Sequence, residues 1–279
     1  MTVTAQPTTA PPVTAPSTTA SPTTAGPERE GGLAKWAPRI TPPIGVDLTE
    51  RQALACAFRI LARGGFSENI AGHITVAQPG SESMLVNPWG LWWDEVKASD
   101  LCVVNAGGEV LEGKWDVTPA IHIHTELHRV RPDARVVVHN HPYYVTVLAA
   151  VGVLPEIVHQ TGSMFDGDLA FVHEYTGEVD DAQLGAQLAE QIGGYSTVIL
   201  ANHGIIVTAP TIQEATYKSA SIDRVCKLAY DVMLLGRDPL PIASGVRVGM
   251  KKSLLERGTD VYWAGEVRAL LRHQPDVLD

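Results

Sequence analysis

The histidines at 139, 141 and 203 are the residues of this chain whose types and spacing could do chemistry. His139 and His141 close the run Val136-Val137-Val138-His139-Asn140-His141-Pro142. Three β-branched residues in succession read as a strand buried on both faces. Side chains alternate along a strand, so His139 and His141 share one side, about 6–7 Å apart, and can close on one divalent metal. Pro142 stops the ladder and leaves the pair at an open strand end. A polar pair at a strand edge would be spelled the same way. The segment Ser196 to Val207 shifts the balance, because it reads as a second buried strand interrupted by His203-Gly204. A glycine there marks a bulge or a close approach of backbone. An imidazole buried in that bulge is costly unless something accepts its nitrogen, and a metal does so. Three neutral imidazoles with an open position make a catalytic rather than a structural site, suited to zinc, iron, copper or nickel.

Several elements must position these residues. A helix start at Asp47-Leu48-Thr49 precedes Leu54, Ala57, Phe58 and Leu61 at helical spacing, and Gly64-Gly65 stops that helix. Strand pairs are predicted over 70–76 with 83–86, and over 101–105 with 109–112, the second turning at Gly107-Gly108. That glycine pair is a hairpin turn and not a phosphate loop, since no helix follows it. Thr118-Pro119 opens a helix to about Arg131. Shorter helices are predicted over 143–151 and from Asp180 or Asp181 to Ile192, with loops and short strands over 154–179. Helical periodicity runs from Ile212 to Leu235, and one or two helices are expected between Lys251 and Arg272. Helices interleaved with hairpin strands imply an α/β/α sandwich around a mixed, largely antiparallel sheet.

Composition sets the outer bounds. Residues 1–27 are nearly all Thr, Pro, Ala and Ser with no charge before Glu28, so a disordered tail is expected over 1–30. It has neither the basic start and apolar centre of a secretory signal nor the arginines of a transit peptide. A domain is expected over 45–236, with a helical extension over 237–279. No apolar run is long enough to span a bilayer. The net charge of −10 argues against a nucleic-acid partner, and Lys251-Lys252 is too small a cluster to change that. Cys56, Cys102 and Cys226 read as buried free thiols of a cytoplasmic protein.

With these residues in place, the chain resembles the class II aldolase and adducin-head family over about residues 48–236. The resemblance rests on Ala71-Gly72-His73-Ile74-Thr75, Asn87-Pro88-Trp89-Gly90, Arg131-Pro132-Asp133, His139-Asn140-His141 and Asn202-His203-Gly204. It implies the α/β/α sandwich, a homotetramer with interfacial sites, and a divalent metal on His139, His141 and His203. The departures matter equally. The glutamate that sugar-phosphate aldolases of this family place before His-x-His falls at Ala120. Trp89 stands in the stretch that cradles phosphate, and His73 replaces an asparagine of the glycine loop. An indole removes hydrogen-bond donors and fills volume, so the substrate expected is unphosphorylated, partly apolar and aromatic. Trp92 and Trp93 are open to either a pocket or a core role.

The chain is therefore expected to be a metal-dependent enzyme for an aromatic 2-oxo or 2-hydroxy acid. The specific expectation is Fe(2+)- and O2-dependent oxidative decarboxylation. It follows the resemblance to a small branch of the family, the non-haem iron oxygenases that build the prenylated 4-hydroxybenzoate unit of aminocoumarin antibiotics. His159, shortly after Pro155-Glu156-Ile157, occupies the place of a tyrosine that the family sends as an acid into a neighbouring subunit's site, and histidine suits proton transfer. Its alternative is a hydrogen-bonded loop residue. Trp89 is expected to wall the pocket and His73 to meet a substrate carboxylate. On the helix after Thr118, His124 is expected to support a ligand, His122 is a candidate for the absent glutamate's place, and Glu126 is read as solvated. His173 and His273 carry no signal. Two alternatives stand: a Zn(2+) or Mn(2+) aldolase or non-oxidative decarboxylase, and an adducin-like module without catalysis.

Overall fold

A computed structural model describes residues 38–174 and 177–279, so the tail expected over 1–30 lies outside the described residues. Among these residues eight strands form one sheet: β1 His73–Ala77, β2 Met84–Val86, β3 Cys102–Val104, β4 Val110–Glu112, β5 Val136–Asn140, β6 Leu169–Val172, β7 Thr197–Leu200 and β8 Ile205–Ala209, in the spatial order β4-β3-β2-β1-β5-β8-β7-β6. Neighbours are antiparallel except β6 and β7. The mixed, largely antiparallel sheet is as expected.

Among the described residues seven helices cover it: α1 Glu50–Arg63, α2 His122–Val130, α3 Tyr143–Val151, α4 Ala182–Ile192, α5 Ile212–Leu235, α6 Ser244–Ser253 and α7 Thr259–Leu271. Strand alternation sorts them into two outer layers. Val136 and Val138 of β5 face a core built with α1, α3, α5 and α7, whereas Val137 faces a smaller core built with α2 and α4. His139 lies two residues beyond Val137, so its side chain is on the α2/α4 side. Local signals hold the helix ends: Thr49 and Gln52 form a capping box, Asp181 accepts from the Leu184 amide, and Thr211 from that of Glu214. Thr118 caps a 3₁₀ turn over Pro119–Ile121 that leads into α2.

Two expectations need correction. Ser196 to Val207 is not one interrupted strand but the hairpin β7–β8, with Ile199 opposite Ile205 and His203 in the turn. A single strand of that length would run about 40 Å, far beyond its neighbour β5. Ala201-Asn202-His203-Gly204 instead folds back, with Asn202 in the left-handed region at φ 52° and the Leu200 amide donating to the Gly204 carbonyl at 2.8 Å. The C-terminal helices also start earlier than Lys251. α6 begins at Ser244, and a π turn over Leu254–Gly258 joins it to α7. Ser244-Gly245 hides this start, because neither residue favours a helix interior.

The chain's last turn is tied to α1 through a buried arginine. Arg59 donates to both carboxylate oxygens of Asp276 at 3.2 and 3.0 Å and to the carbonyls of Glu95 and Val96. Trp93 resolves to the core, fully buried and edge-on to Phe58 with ring centroids 5.0 Å apart. Trp92 is half exposed and lies away from the histidines. The three cysteines are buried free thiols. No described helix is long and apolar enough to cross a membrane.

α2 carries Ile123 and His124 against the sheet, and α4 backs it. A Cβ at Gly185 of α4 would stand 2.5 Å from the His122 carbonyl oxygen. Gly185→Ala therefore has to push the helices apart, and a loss of about 1–3 kcal/mol of stability is expected in urea unfolding. An unchanged midpoint would show that α4 can shift freely.

Candidate metal centre

β5 delivers His139 and, one residue past its end, His141. The β7–β8 turn delivers His203 from the neighbouring strand pair. Their ring centroids are 5.1 Å (139–141), 4.7 Å (139–203) and 4.8 Å (141–203) apart. One nitrogen from each lies within 4.8 Å of the other two. The three residues singled out by spacing thus converge on one point.

Hydrogen bonds orient two of the rings. His139 Nδ1 is 3.0 Å from the Ile205 carbonyl oxygen, which can only accept, so Nδ1 carries the proton and Nε2 the lone pair. His141 Nδ1 donates to Glu68 at 2.7 Å. Its Nε2 is buried without a hydrogen-bond partner. An orphaned buried nitrogen beside two other imidazoles is what a divalent cation would satisfy, and the carboxylate behind His141 is the usual outer support of such a ligand. The donor set fits.

Backbone geometry makes the cluster possible. A Cβ on Gly204 would stand 2.4 Å from the Asn140 carbonyl oxygen and 2.5 Å from His141 Cδ2, so only glycine lets the turn close onto the His141 ring. Gly72, at φ 90°, precedes His73, and a Cβ there would strike the Asn140 side chain at 2.7 Å. The Gly72 carbonyl accepts from Trp93 Nε1 and Asn87 Nδ2 at 3.2 and 3.3 Å. Asn140 binds the Phe66 carbonyl and the His141 amide, which fixes the loop carrying Glu68.

Burial, and then repulsion from neighbouring imidazoles, hold His139 well below the ordinary histidine range and bring His203 down to about 4. Burial likewise lowers His73 to about 3 and His128 to about 4, and takes His124 well down. All are neutral at pH 7, the state a metal ligand needs.

The trio opens into a pocket of about 300 Å³, on the scale of small-ligand sites. His73, Trp89, Thr118, Ala120 and Ile123 line it, and Glu178 lies on its wall. Trp89 is 58% exposed. Ala120 puts a methyl group in the wall, at the position where the resemblance places the glutamate of the sugar-phosphate aldolases. No residue after His203 lines this pocket among the described residues. The other candidates lie elsewhere. His159 is exposed, caps the 3₁₀ turn Gln160–Phe165 by accepting from the Thr161 amide, and lines no part of the pocket within one chain. His122 is outside the trio, and Glu126 pairs with Arg129 at 2.8 Å. His124 contacts His73 rather than a trio member by hydrogen bond. Spacing gave no sign of Glu68 or Glu178, because each reaches the site from a loop.

A three-layer α/β/α sandwich presenting three imidazoles to one cavity defines a protein equipped to hold a divalent cation. More particularly, residues 52–230 match the Class II Aldolase and Adducin N-terminal domain, and the chain belongs to that family. It is 31% identical over 215 residues to the 4-hydroxy-3-prenylphenylpyruvate oxygenase/4-hydroxy-3-prenylbenzoate synthase of Streptomyces roseochromogenus subsp. oscitans, covering 72% of this chain and 76% of that one. It is 32% identical over 200 residues to the 3,4-dihydroxyphthalate decarboxylase of Arthrobacter keyseri, covering 67% and 79%. A solved aldolase II superfamily protein from Pseudomonas syringae superposes with a TM-score of 0.74 at 26% identity, covering 82% of this chain and 94% of that one.

Two outcomes follow from this geometry. Gly204→Ala is expected to weaken zinc binding about 10–100-fold in competition with a chromophoric chelator, as displaced ligand supports do; undiminished affinity would mean the turn does not fix the ligands. For metal-free protein, unfolded histidines take up protons below about 6.5 that the buried ones refuse until about 4 or lower. Stability should therefore be full above that window and fall through it, by on the order of 1 kcal/mol per pH unit for each such histidine. A flat urea-midpoint profile from pH 7 to 4.5 would contradict their neutrality.

Proposed function

We propose that this protein is a metal-dependent decarboxylase of aromatic 2-oxo or 2-hydroxy acids, its cation held by His139, His141 and His203. The observation that carries the proposal is the pairing of an intact imidazole trio with a wall that has Ala120 and Trp89 in place of carboxylate and phosphate-binding groups. No lysine or arginine lines the pocket among the described residues, so an acid substrate finds its counter-charge only at the cation. Trp89 offers a flat face to an aromatic ring at the mouth. Ile205 and Glu68 keep the Nε2 atoms of His139 and His141 turned inward.

The finer reading is iron(II)- and O2-dependent oxidative decarboxylation, supported by the name of the Streptomyces relative. Iron(II) held by His139, His141 and His203 would supply one-electron chemistry toward O2. In this reading the protein assembles as a homotetramer, and His159, exposed on each subunit, serves as proton donor in a neighbour's pocket. A second reading, non-oxidative decarboxylation with zinc or manganese, is supported by the name of the Arthrobacter relative.

Loading with iron(II) without oxygen, followed by 4-hydroxyphenylpyruvate or its 3-prenyl derivative and then O2, should give matched O2 uptake and CO2 release. His203→Ala should abolish both. CO2 release by zinc-loaded protein under argon would select the second reading. No turnover with either metal across a set of aromatic 2-oxo and 2-hydroxy acids would defeat both.

A further inference from the structure

A row of hydrogen-bonded side chains runs from the pocket along α2, and neither the metal trio nor the proposed decarboxylation accounts for it. It begins at the Ala134 carbonyl, 2.8 Å from His128 Nδ1. His128 Nε2 lies 2.7 Å from Thr75 Oγ1, and the same hydroxyl lies 2.8 Å from His124 Nδ1. His124 Nε2 lies 3.0 Å from His73 Nδ1. His73 then lines the pocket, paired in register with His139 across β1 and β5.

Proton counting gives the row one direction. A carbonyl only accepts, so His128 is protonated on Nδ1 and, being neutral, presents a lone pair on Nε2. The single Thr75 hydroxyl proton must go to that lone pair. Thr75 Oγ1 then accepts from His124 Nδ1–H, which leaves the His124 Nε2 lone pair to accept from His73 Nδ1–H. The remaining nitrogen of His73, Nε2, has no proton and makes no hydrogen bond with any described residue. It is also outside the trio that converges on a cation.

We propose that the Ala134–His128–Thr75–His124 row locks His73 as the Nδ1–H tautomer, so that its Nε2 accepts a hydrogen bond from a substrate hydroxyl held beside the cation. This deepens the function proposed above and rests on it for the identity of the acid. A lone pair repels a carboxylate, the partner that sequence suggested for His73, and favours a 2-hydroxy acid or the enol of a 2-oxo acid. His73 is thus a specificity-determining contact, and Thr75, His124 and His128 are positioning residues.

Two measurements test it. Long-range proton–nitrogen spectra of protein labelled with nitrogen-15 histidine, without metal at pH 8, should show His73, His124 and His128 all protonated on Nδ1. Thr75→Val should leave His73 with mixed tautomers. A proton on His73 Nε2 in the wild type overturns the proposal. Calorimetry on zinc-loaded protein then compares mandelate with O-methylmandelate, which offers the cation the same oxygens but has no proton to donate. The wild type should prefer mandelate about tenfold, near the worth of one such bond. His73→Phe, still binding one zinc, should lose that preference. A preference that survives in His73→Phe is steric and overturns the contact. If neither acid binds the wild type, the aromatic-acid reading falls and the spectra alone decide the tautomer lock.

Discussion

Imidazoles packed within touching distance of one another resist sharing charge, and each must have somewhere to send a ring proton. That constraint organises the region around β5. His139 sends its proton to a backbone carbonyl of β8 and His141 to the Glu68 carboxylate. The nitrogens left over face a common cavity. The surrounding oddities of the chain follow from seating these rings: a glycine where the β7–β8 turn meets His141, another where the loop before β1 passes Asn140, and a buried asparagine bonding on both sides. None of these raises the stability of the fold by itself. Together they keep polar groups satisfied where water cannot reach, which is the condition for burying them at all.

Sequence reasoning reached part of this. The two-residue period of a strand was enough to put His139 and His141 on one side, because alternation is a property of the backbone and owes nothing to the rest of the fold. The signals at Thr49, Thr118 and Asp181 gave helix starts for the same reason: a cap is a contact within four residues. His203 was recognised as a companion, but its setting was misjudged. An apolar run on both sides of His203-Gly204 looks like one strand, and only the length of the neighbouring strands shows that it must fold back. Glu68 and the His73–His124–Thr75–His128 row were out of reach. Their members come from a loop, a strand and a helix separated by some fifty residues, and no local pattern encodes their meeting. Trp92 and Trp93, adjacent and alike in sequence, part company on the surface and in the core for the same reason.

The family gives the scaffold, and the segments between its strands build the pocket wall. Ala120 and Trp89 enter the wall from segments between the strands, and Ala120 packs on the core that Val137, Val198 and Ile206 share. Of the trio only His139 sits on the sheet itself; His141 follows a strand end and His203 lies in a turn, so the site lies where the rigid layer meets its connecting segments. α7 packs on the opposite layer with α1 and α5, away from the cavity, while α6 rests on the 3₁₀ turn Gln160–Phe165.

The register of β5 has a bearing on how such a chain can change. His139 stands opposite His73 on one side and Ile206 on the other. Adding or deleting a single residue upstream in that strand would exchange its two faces. Asn140, Val136 and Val138 would turn toward α2, and His139 would be driven into hydrocarbon beneath α1 and α5. Drift in chain length is therefore tolerable at exposed bends such as Gln78 to Ser83, and ruinous between Ala134 and Asn140, where losing count by one abolishes the cation's seat and sours the core in the same step.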